Sequence, residues 1–565
     1  MDTDTDASPE RANSLTLHGT RSPRPRVTDP LLAAPIDPDL VEPEAQTLSA
    51  SRRKLLWAAG PGILLCLFTI DFDMLFLSTN YSKRIASDLH ELDNAVWVIL
   101  LGSIMETASN PFYSRLGDLL GRRRAALLAA FLTAVGLLLC SLSSRLWQLT
   151  LSRLVVGSGS AGFPLLVAIM LTDIVPLQDF ALWRSLIVCV QAVGDVTGGP
   201  VGSSLADKLG WHWVFRVEFL VMAVGFGLVF VTLHLPAKSQ ESMNATRSSD
   251  GFDALGPALV FTTIALPLFA LNTGGSILPW THPVVVTLLA CTPLAVAACY
   301  WSQTRSGVTP FIRVALFKNR AVIALMMCVF CLVFSFSALL YNLALYIEAR
   351  SFHHPSSFGD WALSCIVFAR PIGSVLSGFA IKQYRAPWRM LQWVVVIYFV
   401  LYKAIAAGLV PLERPECASY LFIFGLSIGV IENCLVVSLL STTGPQDRPS
   451  LLAIFNVVTA LASDVGMGVT LSLTQRFIRS GLQSRLGDGP DTAKIIQRAV
   501  KSLESIRGLS PELQSKVISI FVGSIEKVLE ISCAAFLVGV IAVLCTRVEY
   551  KEEQDVNEEE DHQQR

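Results

Sequence analysis

Apolar residues in this chain arrive in blocks of about 20, the length that carries a helix across a hydrocarbon core of about 30 Å. Fourteen such blocks can be traced, near residues 55–78, 95–114, 125–143, 148–174, 183–204, 213–234, 254–273, 284–301, 321–346, 358–381, 389–411, 417–441, 449–475 and 528–546. Only helices and closed barrels satisfy every backbone polar group in lipid, and barrel strands are about half this long. The pattern therefore predicts an all-α polytopic membrane protein with fourteen transmembrane helices.

The polar stretches between the blocks fix the organisation. Residues 1–50 are rich in Pro, Asp, Ser and Thr and read as a disordered cytoplasmic tail, in which Asp29-Pro-Leu-Leu32 resembles an acidic dileucine sorting signal. The first span serves as the insertion signal, and no cleavable leader is expected. With both termini in the cytoplasm, 20 Lys and Arg flank the spans on the cytoplasmic side and the short outer loops hold 6. That is the positive-inside asymmetry, and removing one span would scramble it. On this topology Asn80 is an outward glycosylation sequon that hugs the membrane. Residues 476–527 form a long outer connection in which Thr492–Ile506 and Pro511–Leu529 have the spacing of amphipathic surface helices. Residues 547–565 are an acidic cytoplasmic tail.

Composition narrows the function. The 565 residues are 52% hydrophobic and 16% charged, with mean hydropathy +0.53, short of the roughly 25% charge of soluble domains. A net charge of −1 gives no argument for nucleic acid. Most of the 12 cysteines lie inside apolar blocks; Cys328-Val-Phe-Cys331 has redox or zinc spacing but reads as small apolar residues on a helix. No metal or cofactor is expected. No nucleotide-binding loop or catalytic cluster is visible in the soluble segments, which argues against an enzyme and against ATP-driven transport.

Five stretches carry more specific information. The loop after span 2 reads Gly117-Asp118-Leu-Leu-Gly121-Arg122-Arg123-Arg124. Its glycines let two helix ends approach, and its acid can pair with the arginines as a charge clasp. Span 4 contains Arg153-Leu-Val-Val-Gly157-Ser-Gly159 and ends on Asp173-Ile-Val-Pro176. Span 5 contains Gly194-Asp195-Val-Thr-Gly198-Gly199-Pro200-Val-Gly202, with glycines every four residues on one face, a device for close helix contact across the bundle interface. Trp211-His-Trp213 follows, and Asp73 lies in span 1 ahead of Tyr81-Ser-Lys-Arg-Ile-Ala.

These stretches resemble, in order, motifs A, B and C, the Trp-Arg-Trp and the Asp-containing span 1 motif of the major facilitator superfamily, in its fourteen-span drug:proton antiporter branch. The resemblance covers about residues 50–550 and is looser in the second half. It implies a six-helix bundle over 51–235, a linker with two inserted spans over 236–320 and a second six-helix bundle over 321–546. Substrate would bind midway between the bundles and be exposed alternately by rocking. Ser114, Ser203 and His212 stand where the family usually has Gly, Gly and Arg, and span 13 lacks an expected Arg.

Ionisable residues at membrane depth are expensive and each needs a reason. Steps of four, three and four residues place Gly62, Cys66, Thr69 and Asp73 on one face of span 1, small or polar and suited to the bundle interior. Asp71 points about 200° away. The resemblance makes Asp73 and Arg153 the proton-coupling pair. Glu106, Asp195, Arg370, Glu432 and Asp464 are further candidates, and Lys403 in span 11 can join them. Glu432 and Asp464 form either a structural ion pair with Arg370 or a negative cavity wall that selects cations. Trp361, Tyr341, Trp393 and Phe334 are candidates for stacking on substrate.

The function expected from all this is a monomeric, proton-coupled antiporter that exports a small organic compound, with lipid, substrate and protons as its partners. The plasma membrane suits export. The alternative is transport of basic amino acids at the vacuolar membrane, and a non-transporting sensor on the same fold is the third reading.

Overall fold

The computed structural model describes residues 38–80, 85, 88–89, 96–233, 255–274, 278–304, 314–350, 358–410, 417–444, 447–486 and 511–546. The sorting-signal resemblance, Thr492–Ile506 and the acidic tail lie outside these residues, as does the side chain of Asn80.

Fourteen α-helices are present among the described residues: α1 (Pro38–Asn80), α2 (Val96–Leu120), α3 (Arg122–Leu142), α4 (Leu146–Ile174), α5 (Leu177–Leu209), α6 (Trp211–Thr232), α7 (Leu255–Thr273), α8 (Pro283–Thr304), α9 (Arg320–Arg350), α10 (Phe358–Tyr384), α11 (Pro387–Ala406), α12 (Cys417–Ser441), α13 (Arg448–Leu486) and α14 (Pro511–Cys545). Up to Arg53, α1 belongs to a unit of its own; everything below lies in the second unit, Lys54–Arg565.

Thirteen of these helices, with α1 counted from Trp57, are long and apolar enough to cross a membrane. The exception, α2, has 25 residues and so spans about 38 Å. Its hydropathy is lowered by Thr107, Ser109 and Asn110, all buried against protein, so the helix is too polar for lipid only where lipid does not reach it. The fold is the expected one, two six-helix bundles with an inserted pair of spans.

Helices α3 and α4, α2 and α4, and α3 and α6 pack closely in the first half. In the second half α12 packs on α10, and α9 on α13 and α14. The inserted α7 and α8 pack on one another, with α7 leaning on α2. The chain joins α2 to α3 and α5 to α6 through one residue each, Gly121 (φ +92°) and Gly210 (φ +88°), a left-handed backbone that side chains resist.

The outer connection departs from expectation. Helix α13 continues to Leu486 and α14 begins at Pro511, so Pro511–Leu529 is the first half of a transmembrane helix and not a separate surface helix. Its apolar side carries Val517, Phe521, Ile525 and Val528, all buried inside the protein. An amphipathic face has the same spacing whether it meets lipid or a neighbouring helix, which is why the sequence left this open.

Candidate functional site

Helix α1 supplies the centre of the site. Cys66, Thr69 and Asp73 are all buried, and a side chain at Gly62 would collide with Leu228 and Val229 of α6. The small, polar face of span 1 thus points into the bundle as its spacing predicts. Across from it, two turns into α4, Arg153 places Nη1 2.8 Å from both Oδ1 and Oδ2 of Asp73. The side chains are 6% and 5% exposed. Burial excludes competing water, so this ion pair is far stronger than one at a surface, and removing either partner would strand the other.

The pair opens onto a cavity of about 160 Å³ between α1, α2, α4 and α5, lined also by Asp71, Glu106 and Asp195. Four carboxyls thus share one wall with a single guanidinium. Asp71 does not turn away, as its helical angle suggests: the cavity wraps around α1 and receives both Asp71 and Asp73. Gln191 of α5 lies against the Asp71 carboxyl, whose Oδ2 is buried without a hydrogen-bond partner.

The second-half candidates part company. Arg370 Nε meets Glu432 Oε2 at 2.9 Å, the ion pair anticipated as structural, with side chains 39% and 18% exposed. Its charge reaches Asp71 and Asp195. Asp464 does not join it and lies against Asn272 of α7, near Glu106. Lys403 is excluded from the group: it pairs with Glu530 at 2.9 Å on a half-exposed surface of α11 and α14. Trp393 is 74% exposed and does not belong to a cavity. Phe334 stacks on Phe330, Tyr341 is half-buried, and the side chain of Trp361 lies outside the described residues.

The glycines of span 5 pack otherwise than expected. A Cβ at Gly194 would come within 2.7 Å of the Phe68 carbonyl, one at Gly198 would strike the Phe72 carbonyl, and one at Gly202 would meet the Phe76 ring. Glycines and phenylalanines, both spaced by four, therefore interlock α5 with α1 inside the first bundle. They do not form the contact across the bundle interface. Gly199 faces a looser space, with its nearest neighbours at 3.7–3.8 Å, and Pro200 lies within the helix.

That inter-bundle contact uses hydroxyls, an amide and a glycine of α10, Gly378, where a Cβ would stand 3.0 Å from the Leu182 Cα of α5. Ser185 of α5 donates to the Ser374 carbonyl at 2.7 Å, and Asn433 Nδ2 of α12 donates to that same carbonyl at 3.1 Å and to Ser377 Oγ at 3.0 Å. Ser185, Ser374, Ser377 and Asn433 are all buried. Lys382 of α10 bonds Asp179 of α5 at 2.9 Å, and Asn456 of α13 bonds Asn110 of α2 at 3.3 Å. These contacts sit toward the expected cytoplasmic ends of their helices. Alongside this knot, α5 and α10 flank an apolar cavity of about 380 Å³ lined by Cys189, Val193, Phe368 and Ile372.

The charge clasp of the α2–α3 loop is present. Arg122 Nη1 lies 2.8 Å from Asp118 Oδ1, and its Nε lies 3.4 Å from Asp173 Oδ2 at the end of α4. Arg123 donates to the Phe230 carbonyl of α6 at 2.8 Å. Gly117 is required because a Cβ there would stand 2.9 Å from Leu166 and 3.0 Å from Arg122 Nη1. His212, in place of the usual Arg, stacks on Trp211 and meets the Ser143 carbonyl at 3.0 Å.

One functional candidate escapes the sequence reading. Glu218 of α6 is 3% exposed and faces Asp73 and Arg153. A carboxyl a few residues inside a predicted span is the same signal that singled out Asp73, but Glu218 matches no motif.

The sequence profile of the Major Facilitator Superfamily matches residues 63–467. The chain belongs to that family of membrane transporters. It is 26% identical over 468 residues to the multidrug resistance protein fnx1 of Schizosaccharomyces pombe, covering 82% of this chain and 87% of that one. It is 24% identical to the vacuolar membrane amino acid uptake transporter fnx2 of the same yeast, covering 82% and 80%. A third relative, the efflux pump FUS6 of Gibberella moniliformis, is 23% identical over 89% and 90% of the two chains. The fold is similar to the crystal structure of the human organic anion transporter MFSD10 (TETRAN), with a TM-score of 0.55 at 15% identity over 87% of this chain and 99% of that one.

Proposed function

We propose that this transporter exchanges protons for a small organic compound, which it exports, with Asp73 and Arg153 as the coupling pair. The observation that carries the reading is the buried ion pair opening onto a cavity with three further carboxyls. A carboxylate at membrane depth persists only if paired or used. Here it is paired with an arginine that stays charged, beside space enough for water or part of a ligand. The surplus of acids favours a cationic cargo through simple attraction in a medium of low dielectric. The glycine interlock of α5 on α1 would make these helices move as one body, and the knot of α5, α10 and α12 would be the closed cytoplasmic gate. The clasp of Asp118, Arg122 and Asp173 would hold that closed state.

The same acid surplus supports a second reading, uptake of basic amino acids at the vacuolar membrane; one relative is a vacuolar membrane amino acid uptake transporter. Tagged localisation followed by uptake into vesicles of the labelled membrane separates the two. Proton-driven arginine or lysine uptake in vacuolar vesicles selects the second; proton-driven efflux of organic cations across the plasma membrane selects the first. Transport indifferent to an imposed pH gradient overturns both.

A further inference from the structure

The Asp73–Arg153 pair satisfies its own charge, because one guanidinium faces one carboxylate with both oxygens engaged. Glu218 is left over. It is as buried as Asp73, it faces both members of the pair, and apart from the Asp73 carboxyl beside it neither of its oxygens has a hydrogen-bond partner. Among the described residues, the other groups around it offer no second cation. From α3 comes only the Cys140 thiol, which also touches Arg153. At this depth α5 presents Gly198 and Gly202, packed on Phe72 and Phe76, the latter against Phe215. Arg216, on the same helix as Glu218, is turned onto the exposed ring of Trp213 at 4.7 Å.

Two anions confined with one cation, away from water, repel one another more than the cation can offset. We propose that Glu218 is a second carboxyl of the coupling site, which stores one proton between Asp73 and Glu218 while Arg153 matches whichever of the two is ionised. Loading transfers a proton from hydronium to the ionised carboxylate, leaving water and a site of net charge zero. Unloading returns that proton to water and leaves a net charge of −1. The unloaded site attracts a cation into the adjacent cavity and the loaded site does not, so proton and cargo alternate. This rests on the proton-coupled reading above and adds to it the residue that makes the site's charge switchable.

Two measurements on the purified full-length protein test it. In infrared difference spectra at neutral pH, Glu218→Gln should lose one protonated-carboxyl C=O stretch relative to wild type. An unchanged band overturns the proposal, whether or not any substrate is known. With ethidium as a cationic probe, wild-type binding should strengthen with rising pH, by up to about tenfold per pH unit for one proton. In Glu218→Gln, which keeps Asp71, Glu106 and Asp195 on the cavity wall, the dependence should be weaker by one proton, and Glu218→Asp should restore it, an outcome that a purely structural role would not produce; a slope equal to wild type overturns the proposal. If Glu218→Gln accumulates probe in response to a pH gradient as wild type does while Asp73→Asn does not, Asp73 works alone and only this inference fails. If wild type itself ignores the gradient, the proton-coupled reading fails with it.

Discussion

The two halves of the protein carry the same kind of charge pair in different surroundings. In the first half Arg153 and Asp73 are 6% and 5% exposed; in the second, Arg370 and Glu432 are 39% and 18% exposed. Water reaching a guanidinium weakens its ion pair by raising the effective dielectric. The first pair is thus a committed buried contact and the second an adaptable one. Helix packing differs in the same sense. The first half interlocks α5 on α1 through three glycines, whereas the corresponding contact of α13 on α9 uses a single close glycine, Gly466 at the Phe334 carbonyl, 2.6 Å from a built Cβ. The second half instead fills its core with stacked rings, Tyr398 on Phe424 at 4.8 Å and on Phe536 at 4.8 Å, and ties Tyr402 to Ser532 at 2.6 Å. The second half also closes α10 on α12 through Gly373, Gly425 and Gly429, each of which would drive a Cβ into a backbone carbonyl, so the halves differ in the exposure of the charge pair and in the aromatic core.

This contrast can be broken most severely at the first pair. Asp73→Asn strands a buried arginine and removes a titratable group, so it should abolish accumulation driven by a pH gradient while leaving substrate counterflow. Glu432→Gln, in the wetter pair, should retain accumulation. Equal losses in the two variants, measured in the same vesicles, would erase the distinction.

Packing comes next. Gly198→Ala drives a methyl into the Phe72 carbonyl and should destabilise the protein by about 1–3 kcal/mol, whereas Gly199→Ala should be near neutral. Thermal unfolding in detergent reads both, and a neutral Gly198→Ala would mean that α5 and α1 are not interlocked.

The gate between the halves gives a third test. Asn433→Ala removes the amide that bridges α5, α10 and α12 and leaves the Ser374 carbonyl with the Ser185 and Ser377 hydroxyls as donors. Losing buried hydrogen bonds costs about 1–3 kcal/mol, enough to shift a balanced conformational equilibrium about tenfold. Labelling of a cysteine introduced at Ser377 from the cytoplasmic side should accelerate in this variant.

Asp118→Asn should slow turnover more mildly, with substrate affinity retained, because Arg122 keeps Asp173 as a partner. Normal turnover at matched abundance would remove the clasp from the cycle. Smallest of all, Lys403→Gln breaks a pair exposed by half on both sides and should change stability by less than about 1 kcal/mol and transport not at all.

What could be read in advance follows from where each signal is stored. Periodic burial of Cys66, Thr69 and Asp73 was legible because a helix converts sequence spacing directly into direction. Glu218 was not singled out, since its significance lies in facing two residues from other helices. The glycine face of span 5 was legible as a close contact, but not its partner, because α1 and a helix of the opposite bundle present equally smooth targets.

By itself the sequence determined the helical class, the fourteen blocks, the tight loop around Gly121 and the identity of the costly charges, because in lipid each backbone and each ion must be satisfied locally or explained. Only the tertiary structure decided that Asp71 and Asp73 share one cavity, that Lys403 turns to Glu530 instead, that Pro511–Leu529 belongs to the last span, and that the span 5 glycines pack on α1 and not on the opposite bundle. Those outcomes depend on which helix stands opposite, and helix-to-helix pairing is set by packing of whole surfaces that no single stretch of chain encodes.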